Sequence, residues 1–258
     1  MQVVRVEMEG ITTSFRYPHF MWGRHPTFEM PPPATIYGHI CSAVGEWVDP
    51  AGVSFAYTFI HEGKGEDLEH VHAISAGTRK PLREKGRGVV FAEPVNTQGN
   101  VNPLIREFLF RPRMTLYVSP AEYAEFFESP HYSTILGRSQ DLMSYRSVKV
   151  VELERASQAY YEHTILPWEM QVRTRRGITI LMPRYVDYSR GRDPAFERYV
   201  LLQSRVVLRP TGESQEDLIE EERPVIRYEA ETMEHWVDPD SPEHKGAKRG
   251  VWMHRFTE

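Results

Sequence analysis

The sequence contains a single cysteine, Cys41, among its 258 residues. One cysteine excludes an intramolecular disulfide and a multi-cysteine metal site, and it fits the reducing cytoplasm. No apolar run approaches the roughly 18 residues that a membrane-spanning helix needs. The first residues, 1–7, lack the apolar core of a signal peptide. We therefore expect a cytoplasmic protein without a membrane segment.

Signals for common cofactor, nucleophile and metal chemistry are also missing. The sequence has no glycine-rich phosphate loop of the Walker type and no serine nucleophile elbow. His61, His70 and His72 invite a metal-binding interpretation, and His70 and His72 would share one face of a strand. Because no third ligand follows at a clear spacing, ordinary sheet histidines fit better. We expect neither a metal nor a cofactor.

A basic, glycine-punctuated stretch lies within a mildly acidic chain. The whole chain has a formal net charge of -5, whereas residues 78–113 hold eight Arg or Lys and three Glu, a local net charge of +5. A basic patch in an acidic protein indicates a local polyanion partner. Asn and Gly at residues 96–100 favour a turn. We predict a hairpin inserted at residues 76–113; the alternative is an ordinary solvated loop, although long loops in compact domains are usually functional or disordered.

The order of predicted elements indicates an α+β fold. They are, in chain order, a strand at 4–8, a helix from Ala34 to Asp49, strands at 53–61 and 68–75 joined by a linker at 62–67, a helix that begins with a capping-box pattern at Ser119–Glu122, and a strand at 148–153. Strand, helix, strand, strand, helix, strand is the order of a ferredoxin-like or RNA-recognition-motif unit. We predict one domain over residues 1–258 with this unit as its core.

The last part of the chain, residues 155–258, is predicted to add strands and an acidic extension. Extra strands are expected at 178–184 and 199–208. Residues 211–243 hold twelve Asp or Glu and two Arg, a local net charge of -10. Such a run is most often solvated or partly disordered. A docking site for a basic protein partner is the sharper alternative.

Aromatic and basic residues are interleaved between prolines in residues 14–26. Aromatic rings beside guanidinium groups suit single-stranded nucleic acid, because every base has a π-face and every phosphate a charge. Alternatively, the aromatic residues pack in a strand and loop, and Arg16 and Arg24 remain available for phosphate.

Four short stretches carry a resemblance to one family. They are Ser14–Pro18, Met30–Gly38, Arg106–Val118 and Leu136–Leu142. In this order and spacing they resemble the Cas-five family of CRISPR-associated RAMP proteins, subunits of the Cascade surveillance complex, and are most similar to the type I-B members. The likeness covers roughly the first 150 residues, and the C-terminal third matches less clearly.

The resemblance implies a RAMP fold, in which a ferredoxin-like palm carries an inserted β-hairpin thumb. It implies a subunit that holds the five-prime handle of the crRNA, caps the backbone filament in antiviral and anti-plasmid defence, and meets target DNA only through the complex. Its implied neighbours are a Cas-seven-type backbone subunit and a Cas-eight-type large subunit. The residues expected to bind RNA are Arg16, Tyr17, Trp22, Arg24, Lys80, Arg83, Arg87, Arg106, Arg111, Gly137 and Arg138. Those expected on the thumb against a neighbouring subunit are Asn96, Gln98, Asn100 and Phe108.

Two other functions remain open. One branch of this family, type I-C, cleaves repeat RNA, and metal-free cleavage needs a base, an acid and a cation. That chemistry would require Tyr17, Lys80 and a histidine to converge. The adjacent lysine and histidine associated with that branch are matched only by His244-Lys245, in reversed order, so we expect a non-catalytic protein. The other possibility is a protein–protein module whose basic patch docks an acidic subunit, which salt-insensitive assembly without RNA would favour.

Overall fold

The computed structural model describes residues 1–19, 23–73, 82–84, 88–90, 101–210, 226–228 and 233–257. The elements of the first part are β1 (Gln2–Gly10), β2 (Thr12–Thr13), β3 (Arg24–His25), α1 (Pro33–Val44), β4 (Ser54–Ile60), β5 (Gly63–His72), β6 (Leu82–Glu84), β7 (Gly88–Val90), β8 (Val101–Phe110), β9 (Arg113–Ser119), a 3-10 turn (Ala121–Tyr123) and α2 (Ala124–Glu128). The elements of the second part are β10 (Met143–Glu152), β11 (Glu154–Ala156), β12 (Ala159–Tyr161), β13 (Thr164–Pro167), a 3-10 turn (Trp168–Met170), α3 (Gln171–Thr174), β14 (Ile178–Asp187), β15 (Asp193–Leu202), β16 (Val206–Pro210), β17 (Ile226–Tyr228), β18 (His235–Asp238), β19 (Lys248–Gly250) and β20 (His254–Arg255). The predicted α+β class is confirmed: the described residues form mostly antiparallel sheets with few helices.

The central sheet has the strand order β10-β1-β9-β4-β20, and each neighbouring pair is antiparallel. The predicted N-terminal strand is confirmed as β1, but both of its faces are covered. Val4 and Val6 lie in the main core with α1. Val3 lies in a second core together with Val251, because C-terminal residues cover the other face of the sheet.

Helix α1 begins where the sequence predicts and ends earlier. Pro33 lies in its first turn, where a missing backbone N–H costs nothing. Gly45, with φ of 94°, adopts the left-handed conformation and its N–H closes the helix on the Cys41 carbonyl at 2.8 Å. The predicted capping box at the second helix is wrong: Ser119 belongs to β9, and Pro120 precedes the 3-10 turn without a side-chain cap.

An outer sheet forms from β2, β8 and β3, with β5 also paired to β8. Strands β5 and β8 make a ten-residue antiparallel ribbon from Gly63↔Phe110 to His72↔Val101. The predicted linker at 62–67 is therefore wrong for Gly63 onward, because non-local pairing with β8 overrides its glycine-rich, acidic composition. Strands β6 and β7 pair antiparallel inside the predicted hairpin, and the predicted tip at 96–100 lies outside the described residues.

The C-terminal part adds further strands, as predicted. They form a six-stranded sheet, β11-β18-β19-β12-β16-β17, and a three-stranded sheet, β13-β15-β14. The strand predicted at 199–208 is divided between β15 and β16. Strand β14 packs on α1, where Tyr185 meets Tyr37 edge-on at 5.0 Å. Within the residues described, no helix is long and apolar enough to cross a membrane.

The prediction that residues 211–243 form a solvated acidic run is wrong at Asp238. This residue is buried, and both of its carboxylate oxygens accept hydrogen bonds from Arg5 Nη1, at 3.2 and 2.9 Å. The Tyr117 hydroxyl donates a further hydrogen bond to Asp238, at 2.7 Å. A buried guanidinium on β1 needs a counter-charge, and β18 supplies it.

Candidate nucleic-acid interface

A cavity of about 270 Å³ opens between the outer sheet, the start of α1 and the loop that precedes β10. Its lining residues are Ser14, Phe15, Arg16, Pro32, Thr35, Arg106, Gly137, Arg138 and Pro183. Four of the predicted RNA-binding residues therefore meet at one place: Arg16, Arg106, Gly137 and Arg138. They come from three separate stretches of the chain, so the fold brings them together.

The loop at Leu136–Leu142 is held in place by β2 and α1. The Thr13 hydroxyl donates to the Leu136 carbonyl, and His39 Nδ1 lies 2.8 Å from the Ile135 carbonyl oxygen. Gly137 has a φ of 109°, and a Cβ there would lie 2.7 Å from Thr13 Oγ1. Gly137 was expected to bind RNA, and in the structure it is β2 that lies against it.

Arg138 is fixed by the buried carboxylate of Asp141. Its Nε and Nη2 donate to Asp141 at 3.0 and 2.9 Å, and its backbone N–H donates to the same carboxylate at 2.9 Å. The backbone N–H of Arg138 is therefore already hydrogen-bonded within the protein. Hydrogen bonds to Asp141 and then to Glu69 raise the pKa of the Arg138 guanidinium above its ordinary value. The guanidinium is therefore permanently charged and fixed in orientation.

Glu69 bridges two of the cavity arginines. Its carboxylate accepts from Arg138 Nη1 at 2.9 Å and from Arg106 Nε at 3.1 Å. Burial alone would raise the pKa of Glu69, but the hydrogen bonds from Arg138 and Arg106 and the charges of both residues outweigh burial and lower it. Sequence reasoning missed both Glu69 and Asp141. The signal for Glu69 was the acidic stretch that pairs with β8, in which Asp67 lies opposite Arg106.

Two arginines still offer unused donors to the cavity. Arg16 is exposed and makes no ion pair with any residue that the structure describes. Arg106 donates a hydrogen bond from Nε to Glu69, whereas its two terminal nitrogens have no hydrogen-bond partner among the described residues. Pro32 and Thr35 place the start of the twelve-residue helix α1 at the cavity, where the positive end of its dipole favours an anion, although the Thr35 N–H itself donates to the Pro32 carbonyl at 2.8 Å. Together these groups can bind a phosphate.

The aromatic stretch mainly serves packing. Phe15 is buried and meets Phe59 edge-on at 5.6 Å. Tyr17 is half-buried and stacks on Phe28 at 3.8 Å, and burial raises the pKa of its hydroxyl. The structure therefore favours the packing interpretation for these two rings and leaves the guanidinium of Arg16 available.

Arg24 and Arg111 lie outside the cavity. Arg24 pairs with Glu66 and, at 3.2 Å, with Glu107. Glu66 and Glu69 point to opposite faces of β5, because successive side chains of a strand alternate. Arg111 pairs with Glu62 at 3.5 Å, and its guanidinium lies 5.7 Å from the centre of the Phe110 ring.

Of the predicted thumb residues, Phe108 is described and lies within the β5–β8 ribbon. Its ring covers Gly65, where a Cβ would lie 2.6 Å from the ring, and the Arg138 guanidinium lies 6.0 Å from the ring centre. Other predicted residues lie outside the described residues: Trp22, Lys80, Arg87, Asn96, Gln98 and Asn100. Arg83 lies in β6, of which the structure describes the backbone pairing and not the side chains.

The histidines considered for a metal site have other surroundings. His61 Nε2 lies 3.0 Å from Glu29, and hydrogen bonds from His61 and Lys64 lower the pKa of Glu29 to about 2. The rings of His70 and His72 are 6.5 Å apart. In the described part of the chain, no three His, Cys, Asp or Glu side chains are grouped so that they could hold a metal ion.

Gly137→Ala is expected to lower the free energy of unfolding by about 2 kcal/mol, because it combines left-handed backbone strain with overpacking against Thr13. Urea unfolding measures the loss. Gly63→Ala is the matched control, since no atom lies within 4 Å of the place that an alanine Cβ would occupy there and its φ is ordinary. Equal stabilities of the two variants would contradict the assignment of Gly137 as a packing residue.

Comparison with known proteins agrees with the fold. No family model matches the chain, and no curated protein matches it. A chain of a solved CRISPR RNA-guided surveillance complex matches with a TM-score of 0.50 and 15% identity, over 80% of this chain and 91% of that one. A CRISPR protein from Archaeoglobus fulgidus matches with a TM-score of 0.40 and 12% identity, over the same shares of the two chains. The fold is that of a CRISPR surveillance-complex chain, as the resemblance implied.

Proposed function

We propose that the chain is a non-catalytic crRNA-binding subunit of a type I Cascade complex. The observation that carries this proposal is the convergence of Arg16, Arg106 and Arg138 on one cavity beside the start of α1. For a protein of this fold with a role in CRISPR, the guide RNA is the expected ligand of such a cavity.

The arrangement of strands supports a RAMP architecture. The order β10-β1-β9-β4, with α1 between β1 and β4 and α2 between β9 and β10, matches a ferredoxin-like palm. The β5–β8 ribbon and the β6–β7 pair support a thumb, although the ribbon begins at Gly63 and therefore before the predicted insertion at residues 76–113. In this proposal the cavity lies where the thumb leaves the palm.

The size and charge of the cavity favour single-stranded RNA. Ligand pockets measure about 300–1,000 Å³, so a cavity of about 270 Å³ has room for no more than one nucleotide-sized group. Proteins recognise single-stranded RNA through splayed nucleotides held by cations and stacking groups. Arg16 and the terminal nitrogens of Arg106 would hold the phosphate, while Arg138 provides a fixed wall.

The partners follow from the resemblance. The five-prime handle of the crRNA would lie between the palm and the thumb. The Cas-seven-type and Cas-eight-type subunits would contact the thumb and its surroundings. The runner-up function is a metal-independent endoribonuclease that processes repeat RNA. Tyr17 is stacked on Phe28, and that function would require it to meet Lys80 and a histidine.

A gel-shift experiment tests the proposal. The purified chain is mixed with its cognate repeat RNA or with a scrambled RNA in chelator, and native and denaturing gels are run. We expect intact RNA and a shift that favours the cognate sequence. Arg106→Met and Arg16→Met should each weaken binding by about tenfold or more, since hydrogen bonds to charged groups contribute about 1.5–3 kcal/mol. Each should also reduce the salt slope by about 1.

Arg190→Met provides the matched control, because this exposed arginine lies outside the cavity lining. Site-specific cleavage would establish the endoribonuclease instead. If neither a shift nor cleavage occurs, the gel is repeated with the backbone and large subunits. Binding in that mixture that is insensitive to both cavity variants would contradict the proposed site.

A further inference from the structure

Carboxylates are hydrogen-bonded to the cations that line the cavity. Arg16, Arg106 and Arg138 line it. Glu69 accepts hydrogen bonds from Arg138 at 2.9 Å and from Arg106 at 3.1 Å, and Asp141 holds Arg138 through two more. Three cations and two carboxylates leave a formal charge of only +1 at the site.

A site with this charge suits a monoanion. A phosphodiester linkage carries one negative charge, whereas a terminal phosphate monoester carries about 1.5 to 2 at pH 7. The second charge of a monoester would lie beside the carboxylates with no cation left to neutralise it, and an unpaired charge in a partly buried site is costly. Asp67 lies 3.6 Å from Arg138 Nη1 and adds a further negative charge to those of Glu69 and Asp141, although its side chain is half exposed.

Glu69 is the carboxylate best placed to act on a ligand. Asp141 is fully buried, and the Thr12 hydroxyl and Arg138 surround its oxygens. Glu69 retains some exposure and pairs with two of the three arginines that line the cavity, Arg106 and Arg138. A negative charge that enters the cavity therefore competes with Glu69 for these arginines.

We propose that the cavity accepts one internal phosphodiester of single-stranded RNA and rejects a terminal phosphate monoester, and that Glu69 sets this preference. The inference rests on the proposed RNA-binding function and specifies the charge of its ligand. It assigns Glu69 as a specificity-determining residue.

Two nucleotides that differ in charge test the inference. Adenosine 5′-monophosphate and its methyl ester compete with a fluorescent single-stranded RNA for the full chain at pH 8, at one salt concentration. The methyl ester carries one charge fewer and should compete about tenfold better with the wild-type protein. In Glu69→Gln, which removes the charge and keeps an acceptor oxygen for one of the two arginines, this ratio should fall to about twofold or less.

Glu162→Gln is the matched control. Glu162 is also paired with an arginine, Arg205 at 2.7 Å, and neither residue lines the cavity. This variant should keep the wild-type ratio. Equal competition by the two nucleotides, an unchanged ratio in Glu69→Gln, or no competition by either nucleotide while RNA remains bound would each overturn the inference.

Failure of the proposed function gives a different result. If the wild-type chain binds no RNA, that function is contradicted on its own. Calorimetric titration with the same two nucleotides then tests the charge preference directly, and equal or undetectable binding of both would overturn it as well.

Discussion

Asp238→Ala is expected to lower the free energy of unfolding by about 3–5 kcal/mol, because it leaves a buried arginine without its main counter-charge. Arg5 is 9% exposed and Asp238 is 2% exposed. The substitution removes the acceptor of two hydrogen bonds from Arg5 Nη1 and of one from the Tyr117 hydroxyl. Since β18 holds Asp238 against β1 and β9, the loss also weakens the attachment of the C-terminal strands to the central sheet.

Urea unfolding with a matched control measures this effect. Asp240 also lies close to Arg5 Nη1, at 3.2 Å, but its side chain is 62% exposed. Asp240→Ala should therefore cost less than about 1 kcal/mol, as exposed ion pairs do. Adding Arg5→Met to Asp238→Ala should recover part of the loss, because the uncompensated charge is then removed. Equal losses in the two single variants would contradict the assigned role of Asp238.

Sequence patterns predicted the strands and helices that depend on residues close together in the chain. The alternation of apolar and charged residues at 4–8 predicted β1, and the prolines at 31–33 predicted where α1 begins. The same reasoning assigned Gly63–Asp67 to a linker, because glycine and acidic residues are rare in strands. These residues form a strand because β8 pairs with β5 along ten positions, five of which are Gly63–Asp67, and a pairing between distant segments leaves no local signal.

The cations of the candidate site were predictable and their counter-charges were not. Arg16, Arg106 and Arg138 were among the eleven residues that the family resemblance implied for RNA binding. That Glu69 meets Arg106 and Arg138 depends on the register of β5 against β8, and a shift of one residue would turn Glu69 to the other face. Asp238 shows the same limit, because composition describes the average of an acidic run and one member is buried against Arg5.

Asp141→Ala is expected to lower the free energy of unfolding by about 3–5 kcal/mol and to weaken RNA binding by about tenfold where the variant is still folded. Asp141 is 0% exposed and accepts hydrogen bonds from Thr12 and from three nitrogens of Arg138. Without it, Arg138 keeps Glu69 as its main hydrogen-bonded partner, and the loop at Leu136–Leu142 loses its bond to Thr12. We therefore expect the protein to be less stable and Arg138 to be less firmly fixed in the cavity wall.

Two further variants separate the charge of Asp141 from its hydrogen bonds. Asp141→Asn keeps an acceptor for Thr12 or for the Arg138 amide and removes the counter-charge, so its loss of stability should be intermediate. Asp67→Ala is the control, because Asp67 lies 3.6 Å from Arg138 Nη1 but is 52% exposed; we expect a loss below about 1 kcal/mol. Urea unfolding and RNA titration at low temperature measure the two effects. If Asp141→Ala were as stable as Asp67→Ala, Glu69 alone would be a sufficient partner for Arg138. If Asp141→Ala lost stability but kept its RNA affinity, Arg138 would have no part in RNA binding, and Arg16 and Arg106 would be the phosphate contacts.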